Sequence, residues 1–422
     1  MRYKKTTLPS GLRVIIIPTK GNPAVTVMAL VETGSNYETK GQNGLSHFLE
    51  HMMFKGTKRR PSSMDISHEL DGLGAESNAF TSNEMTGYWA KAEKKHLKKL
   101  LDIISDMYLN PTLPKVELEK ERGVILQEIS MYEDLPQVKV WNVFASLLYG
   151  DTPAGRAILG PASNIKNFKR EDFDSYRKAH YVAKKTLIVV AGDINETEVV
   201  REVKNLFKTI PDHKTITKQK VVDKQKSPQI SVYKKKTDQT HLILGVRTFG
   251  AKDKRRASLS VLAGVLGGGM SSRLFQRLRE KMGVCYYVRA NDNEFTDHGQ
   301  LAISAGVDNK RVVEVISALI EECNNLKTEF VPDSELKKVK DYMVGNFFMG
   351  LETTDSLANF YADQEITKGK NLTPFEIEKE IRKVTAKDIQ KVAKEIFINK
   401  NLNLAVVGEG RDNLKLKKVL KF

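Results

Sequence analysis

Tyr181-Val182-Ala183-Lys184-Lys185-Thr186-Leu187-Ile188-Val189-Val190-Ala191-Gly192 has a degenerate second copy in Phe397-Ile398-Asn399-Lys400-Asn401-Leu402-Asn403-Leu404-Ala405-Val406-Val407-Gly408. Gly192 and Gly408 are 216 residues apart. A second pair of segments repeats at almost the same interval. Leu113-Pro114-Lys115-Val116-Glu117-Leu118-Glu119-Lys120 matches Val331-Pro332-Asp333-Ser334-Glu335-Leu336-Lys337-Lys338, and Glu117 lies 218 residues before Glu335. Two unrelated segments sharing nearly one offset point to duplication of a domain of roughly 200 residues. In a chain of 422 residues that leaves two copies.

The elements inside a copy set the fold class. Leu12 to Pro18 and Ala24 to Glu32 are rich in Val and Ile and read as strands. Leu97 to Leu109 carries apolar residues at Leu97, Leu100, Leu101, Ile104 and Met107, a helical stripe, and Glu117 to Tyr132 is helical too. Strands and helices are grouped rather than strictly alternating. We therefore expect α+β architecture: two homologous domains, each an antiparallel-rich sheet with helices packed on it. The expected boundaries are residues 1–210 for the first domain, 211–229 for a Lys-rich linker and 230–422 for the second.

Composition narrows the function classes. Hydrophobic residues at 40% and charged residues at 28% fit a folded globular chain and exclude collagen-like and disordered classes. The net charge of +16 is spread over both halves, with a denser stretch from Lys204 to Lys236 that also holds Pro211, Ser227 and Pro228. It reads as a solvated linker. No zinc-finger spacing or RNA-binding aromatic signature accompanies it, so no nucleic-acid partner is expected. No apolar run approaches the roughly 20 residues that span a bilayer, so no membrane partner is expected either. Two Cys cannot make a disulfide framework and fit a reducing compartment. The basic N-terminal stretch lacks a signal-peptide pattern, and a bacterial cytoplasm is the expectation.

The sharpest chemical feature is His47-Phe48-Leu49-Glu50-His51, within a helix expected over Leu45 to Phe54. Asn43 or Ser46 is expected to cap its start and Gly56 to end it. Residues four apart share a helical face, so His47 and His51 can present two imidazoles to one metal, with Glu50 bordering that face. Phe48, Leu49, Met52 and Met53 can pack inward and hold the helix still. Two imidazole nitrogens plus a carboxylate suit Zn²⁺ better than Mg²⁺ or Ca²⁺. H-x-x-E-H is the inverse of the H-E-x-x-H zinc motif. A third ligand is needed. Glu121 and Glu128 lie seven apart, two turns along one helical face, with Ile125 between them. One can ligate while the other hydrogen-bonds a ligand, and spacing does not say which.

These residues resemble the pitrilysin-type, or inverzincin, metallopeptidases, most of all mitochondrial processing peptidase and its bacterial homologues. The resemblance spans essentially the whole chain. It includes HFLEHMMFKGT from His47, SNAFTSNEMT from Ser77, LEKERGVILQEI from Leu118 and GGGMSSRLFQRLREKMGVCYYV from Gly267. It implies a zinc endopeptidase with one Zn²⁺ per chain, ligated by His47, His51 and Glu128. Glu50 would be the general base on the metal-bound water, and Glu121 would support activity. It also implies that Asn78, Ala79 and Phe80 lie on an edge strand that pairs with extended peptide substrate, a form of β-augmentation.

The second copy is different. An offset of 218 carries His47 to Val265 and Glu128 to Asn346, so that copy lacks the metal residues. Gly267-Gly268-Gly269 precedes a helix expected near Ser271, and reads as a flexible loop or an anion site. There is no Walker pattern. On spacing alone, Arg279 reads as a surface charge and Tyr286 as a half-buried strand residue. The resemblance instead implies that Arg279 and Tyr286 contact substrate, with the Tyr286 hydroxyl stabilising the tetrahedral intermediate; Tyr287 is the competing tyrosine. A complete chamber in that family needs four homologous domains. The expectation is thus a homodimer with shared active sites enclosing short or unfolded peptides. The alternative is a non-catalytic assembly subunit related to the processing peptidases. The presence of His47, Glu50, His51 and Glu128 argues against it.

Overall fold

Runs rich in Val and Ile form the buried strands Arg13–Pro18, Ala24–Val31 and Thr186–Gly192, as their composition favours. The structure, a computed structural model, describes residues 2–409 and 413–422. The first sheet contains β1 (Lys4–Thr7), β2 (Arg13–Pro18), β3 (Ala24–Val31), β4 (Glu76–Thr81), β5 (Thr86–Glu93) and β6 (Thr186–Gly192). The second contains β7 (Gln229–Lys234), β8 (Gln239–Thr248), β9 (Cys285–Glu294), β10 (Gly299–Asp308) and β11 (Leu402–Gly408). Their orders are β1-β2-β6-β3-β5-β4 and β7-β11-β8-β10-β9. With β1 set aside, the two orders are the same when each strand is ranked by its place in its own copy. In both sheets the first of these strands runs parallel to the last, β2 with β6 and β7 with β11, and the other pairs are antiparallel. The α+β architecture with two homologous, antiparallel-rich sheets is thus present. The repeated VVAG and AVVG segments are β6 and β11, central strands buried along their whole length. Burial on both faces explains why they read as continuous apolar runs rather than alternating ones.

The chain forms two compact units that depart from the expected contiguous split at 1–210 and 230–422. The first comprises Met1–Ile129, Arg156–Gln219 and Gly350–Thr373; the second comprises Ser130–Gly155, Lys220–Met349 and Pro374–Phe422. One helix from each half of the sequence packs on the other half's sheet. Helix Pro136–Tyr149 lies on β7, β8 and β11, burying Val140, Phe144 and Leu148 against Ile243, Ala302, Ala405 and Val407. Phe144 sits over Gly245, where a Cβ would come within 2.5 Å of its ring. Helix Thr354–Thr367 lies on β2, β3 and β6. There Thr354 and Thr26 share a buried 2.8 Å hydrogen bond, and the buried Glu365 carboxylate meets Lys5 at 2.6 Å and Arg13 at 3.2 Å.

Helix Leu97–Leu109 has the expected bounds and buries its apolar stripe against β3 and β5. The linker carries no helix or strand between Leu206 and Gln229 among the described residues. Lys208, Lys214, Lys220, Lys224 and Lys226 are exposed there. Lys218 is not a solvated charge: its buried side chain reaches Glu84 at 3.0 Å. No described helix is long and apolar enough to cross a membrane.

Candidate metal centre and active site

The motif helix spans Leu45–Met52, shorter than expected at its C-terminal end. Its start is built differently from the local-cap expectation. Gly44 is the N-cap, with φ +100, and no side chain of Asn43 or Ser46 caps it. A Cβ on Gly44 would lie 2.5 Å from the Leu159 carbonyl oxygen, so the position demands glycine twice over. The cap comes from Glu38. Its buried carboxylate accepts the backbone N–H of Gly44 at 2.9 Å and of Ser46 at 2.7 Å, and the Asn43 amide at 3.1 Å. A carboxylate at a helix N-terminus satisfies orphan donors and opposes the helix dipole. Burial still pushes the Glu38 pKa up against those hydrogen bonds. Phe48, Leu49, Met52 and Met53 are all buried, as expected, and Phe48 meets Phe173 edge-on.

His47 and His51 emerge on one face with ring centroids 4.8 Å apart. Opposite them runs helix Lys115–Asp134, on which Ile125 is buried between Glu121 and Glu128. Glu128 Oε2 lies 3.6 Å from His47 Nε2 and 3.8 Å from His51 Nε2. The three donor atoms fall within 4.8 Å of one another. Donors at about 2.0–2.1 Å in a tetrahedral shell stand about 3.3 Å apart, so the set fits Zn²⁺ after only small side-chain adjustment.

Glu121 is turned elsewhere. Its Oε2 accepts from His51 Nδ1 at 3.1 Å, and its Oε1 pairs with Lys55 Nζ at 2.7 Å. An Nδ1–H committed to a carboxylate leaves the His51 Nε2 lone pair facing the metal position. The two glutamates that spacing left equivalent are thus distinct, and Lys55, which sequence reasoning missed, holds the outer one.

Burial governs the electrostatics. His47 is pushed down to about 4, first by burial and then by His51. Its Nδ1 is buried with no hydrogen-bond partner among the described residues, which further disfavours an imidazolium with two donors to satisfy. Burial raises the Glu128 pKa, opposed by His51. It also raises Glu50, opposed by a hydrogen bond from Thr81 and by His51, and assisted by Glu128. A neutral imidazole and carboxylates whose charge is penalised form a site that a divalent cation stabilises.

The edge strand β4 pairs only with β5 and carries Asn78, Ala79 and Phe80. Asn78 is exposed; Ala79 and Phe80 are half-buried. The Phe80 ring covers Gly87, where a Cβ would approach it to 2.6 Å. Thr81, also missed from the sequence, ends the strand and donates to Glu50 Oε2 at 2.6 Å. The structure therefore gathers His47, Glu50, His51, the β4 residues, Glu121 and Glu128 in the first unit.

Arg279 and Tyr286 come together in the second unit. Arg279 lies on a π-helical turn, Phe275–Lys281. It donates to the Tyr286 carbonyl at 3.2 Å and covers the Phe275 and Tyr286 rings at 5.0 and 5.8 Å. Tyr286 is 72% exposed, not half-buried. The reason is a β-bulge. Tyr287 pairs with Gly306, but Val307 pairs with Cys285, so Tyr286 is the extra residue. A bulge re-aims its side chain away from the face that simple alternation from Val288 and Ala290 would give it. Tyr287 is instead pinned, its hydroxyl 3.1 Å from His241 Nδ1. The glycine run is sterically explained as well: a Cβ on Gly267 would lie 2.3 Å from the Ala290 nitrogen, and Gly269 has φ +100 beneath the Tyr342 ring. At the positions matching His47 and Glu128, Val265 is core and Asn346 bonds the Tyr342 carbonyl.

The chain is similar to known proteins along nearly its whole length. The insulinase (peptidase family M16) profile matches residues 13–162, and the M16 inactive-domain profile matches residues 167–343. An uncharacterized zinc protease of Streptomyces coelicolor is 32% identical over 415 residues, covering 97% of this chain and 90% of the relative. One of Bacillus subtilis is 33% identical over 398 residues, covering 93% and 95%. In fold, the chain is similar to a protease from Helicobacter pylori (TM-score 0.92, 24% identity, 96% of this chain and 99% of that one). It is also similar to a peptidase M16 inactive domain from Pseudomonas fluorescens (TM-score 0.89, 15% identity, 97% and 99%). Relatives above 30% identity over nearly the full length, and profiles that fall on both copies in turn, make this chain a member of the insulinase-type peptidases, family M16.

Proposed function

We propose that this chain is a zinc-dependent endopeptidase that hydrolyses short or unfolded peptides. One observation carries the reading: His47, His51 and Glu128 converge on one point, while the carboxylate of Glu50 is fixed beside them next to an open strand edge. His47, His51 and Glu128 would hold one Zn²⁺ per chain. When bound, zinc supplies a Lewis acid that polarises the scissile carbonyl and acidifies water at the site. Glu50, with Oε2 taken by Thr81, uses Oε1 to accept a proton from water and returns it to the leaving amine. Glu121 keeps His51 in its metal-facing tautomer. The free edge of β4 receives the peptide backbone, with Asn78, Ala79 and Phe80 beside it. Arg279 holds Tyr286, whose hydroxyl donates to the developing oxyanion.

Both sets of residues occur on one chain, so the assembly we propose is a homodimer. Each metal site would be completed by Arg279 and Tyr286 of the partner, within a chamber that excludes folded proteins. A reducing bacterial cytoplasm suits the two free cysteines, Cys285 and Cys323, and cell fractionation tests that placement.

The decisive experiment pairs metal content with turnover. Glu50→Gln should keep zinc and lose peptide hydrolysis by about 10²-fold or more. His51→Ala and Glu128→Gln should lose the metal itself. Full zinc occupancy in both ligand variants refutes the ligand set; near wild-type cleavage by Glu50→Gln refutes the base.

A further inference from the structure

Thr81 is the last residue of β4, the edge strand that packs against the motif helix. Successive strand residues alternate between faces, so Ala79 and Thr81 share one face and Asn78 and Phe80 the other. Ala79 packs on the core of the first unit. Thr81, on that same face, meets Glu50: its Oγ1 lies 2.6 Å from Glu50 Oε2. This is the one hydrogen bond the Glu50 carboxylate makes among the described residues. An ionised carboxylate only accepts, so the hydroxyl donates, and the bond is of the stronger, charge-assisted kind. A β-branched side chain is stiff at χ1, which keeps the hydroxyl from wandering. One carboxylate oxygen is thereby committed and the rotamer fixed, while Oε1 remains open for proton transfer.

We propose that Thr81 is a positioning residue that locks Glu50 to the end of the peptide-receiving strand, so that one element aligns both the substrate backbone and the base. The inference rests on the assignment of Glu50 as base and β4 as substrate edge. It adds a mechanical consequence. Any peptide that shifts β4 along its axis also shifts the base, so register at the strand and proton transfer are coupled. Specificity for extended backbone then reaches the chemical step as well as binding.

The test compares Thr81→Val with Thr81→Ser, using an internally quenched peptide that the wild-type protein cleaves. Valine keeps the shape and strand propensity but removes the donor; serine keeps the donor. Thr81→Val should lower kcat on the order of ten-fold, the scale of a hydrogen bond to a charged group. KM should stay within about two-fold, as expected when an interaction needed in the transition state is lost. Zinc content and melting temperature should match wild type, and Thr81→Ser should recover most of kcat. If valine lowers the melting temperature, the comparison of Thr81→Ala with Thr81→Ser carries the same contrast. Wild-type kcat in Thr81→Val, or equal impairment in the donor-keeping and donor-lacking variants, overturns the proposal. Glu50→Gln assayed alongside separates the two levels. If it is inactive while Thr81→Val is fully active, the base stands and the positioning role falls; if it remains active, the catalytic reading itself falls.

Discussion

Replacing Glu121 by Gln probes whether the outer glutamate acts on the metal through His51. In the structure its two oxygens serve two partners, His51 Nδ1 at 3.1 Å and Lys55 Nζ at 2.7 Å. All three side chains are more than three-quarters buried, so solvent screens these contacts only weakly. Gln has one acceptor oxygen and a donor –NH₂. It can serve one of the two partners, and then only as a neutral acceptor. A hydrogen bond to a charged group contributes about 1.5–3 kcal/mol against about 0.5–1.5 for a neutral one. The deficit at His51 is thus about 1–2 kcal/mol. That corresponds to roughly 10-fold in zinc affinity, rising toward 100-fold if His51 loses its tautomer lock as well, the range observed for groups that support metal ligands. Competition against a fluorescent chelator near neutral pH measures the dissociation constant. Glu121→Gln should bind zinc about 10–100-fold more weakly, and the metal-free protein should melt somewhat lower because Lys55 loses its carboxylate partner. Glu128→Gln should lose far more zinc affinity. An unchanged constant for Glu121→Gln refutes the relay, and a loss equal to that of Glu128→Gln shows that Glu121 is itself a ligand.

Two further outcomes are expected. His180, ringed by Tyr176 and Tyr37, is pushed down to about 4, first by burial and then by Lys185. The unfolded chain takes up this proton near pH ~6.5 and the folded chain does not, so stability is lost between about pH 6.5 and 4, on the order of 3 kcal/mol in full; the urea midpoint of His180→Gln should fall less over that range than that of wild type, and parallel curves count against the assignment. For the assembly, inactive Glu50→Gln and inactive Tyr286→Phe proteins are mixed and allowed to exchange subunits: one site of a mixed dimer then joins intact Glu50 to intact Tyr286 and activity returns, whereas verified exchange without recovery means that each chain completes its own site.

Sequence periodicity located those features whose causes are local. The i,i+4 histidines, the stripe of Leu97–Leu109 and the Val- and Ile-rich runs of β2 and β3 all follow from one element's geometry and appeared where expected. What spacing missed depends on partners distant in sequence. Glu38 caps a helix across intervening turns, so the rule that seeks a cap next to the helix chose Asn43 or Ser46 instead. Glu121 and Glu128 share a helical face, and only Lys55 and the two histidines opposite tell them apart. The exchanged helices Pro136–Tyr149 and Thr354–Thr367 each present apolar residues that would suit either sheet, so nothing local reports which sheet takes them. The exposure of Tyr286 turns on one extra residue in a ladder, and a composition rule for strands has no means of counting it.

The duplication explains why the two sets of site residues fall where they do. β4 and β9 hold the same place in their sheets: each is the edge strand, paired on one side only. In the first copy the strand ends on Thr81, and the motif helix beside it leaves room for Glu50 to reach that hydroxyl. In the second copy the corresponding stretch closes down. Gly267 lies so near β9 that a Cβ would come within 2.3 Å of the Ala290 nitrogen, and Val265 fills core where His47 would stand. With Val265 and Asn346 at the matching positions, that copy lacks the paired imidazoles and the carboxylate. Its edge strand is specialised instead by the bulge that turns Tyr286 outward, with Arg279 bonded to the bulge's own carbonyl. Removing the Arg279 side chain therefore frees the backbone that aims Tyr286, while removing the Tyr286 hydroxyl leaves that backbone in place. On the proposed roles, the same scaffold position serves twice, once to hold a base beside a metal and once to present a hydrogen-bond donor. On this argument Arg279→Lys, which keeps charge but not the planar fork, disturbs the second copy's contribution more than its conservative chemistry suggests.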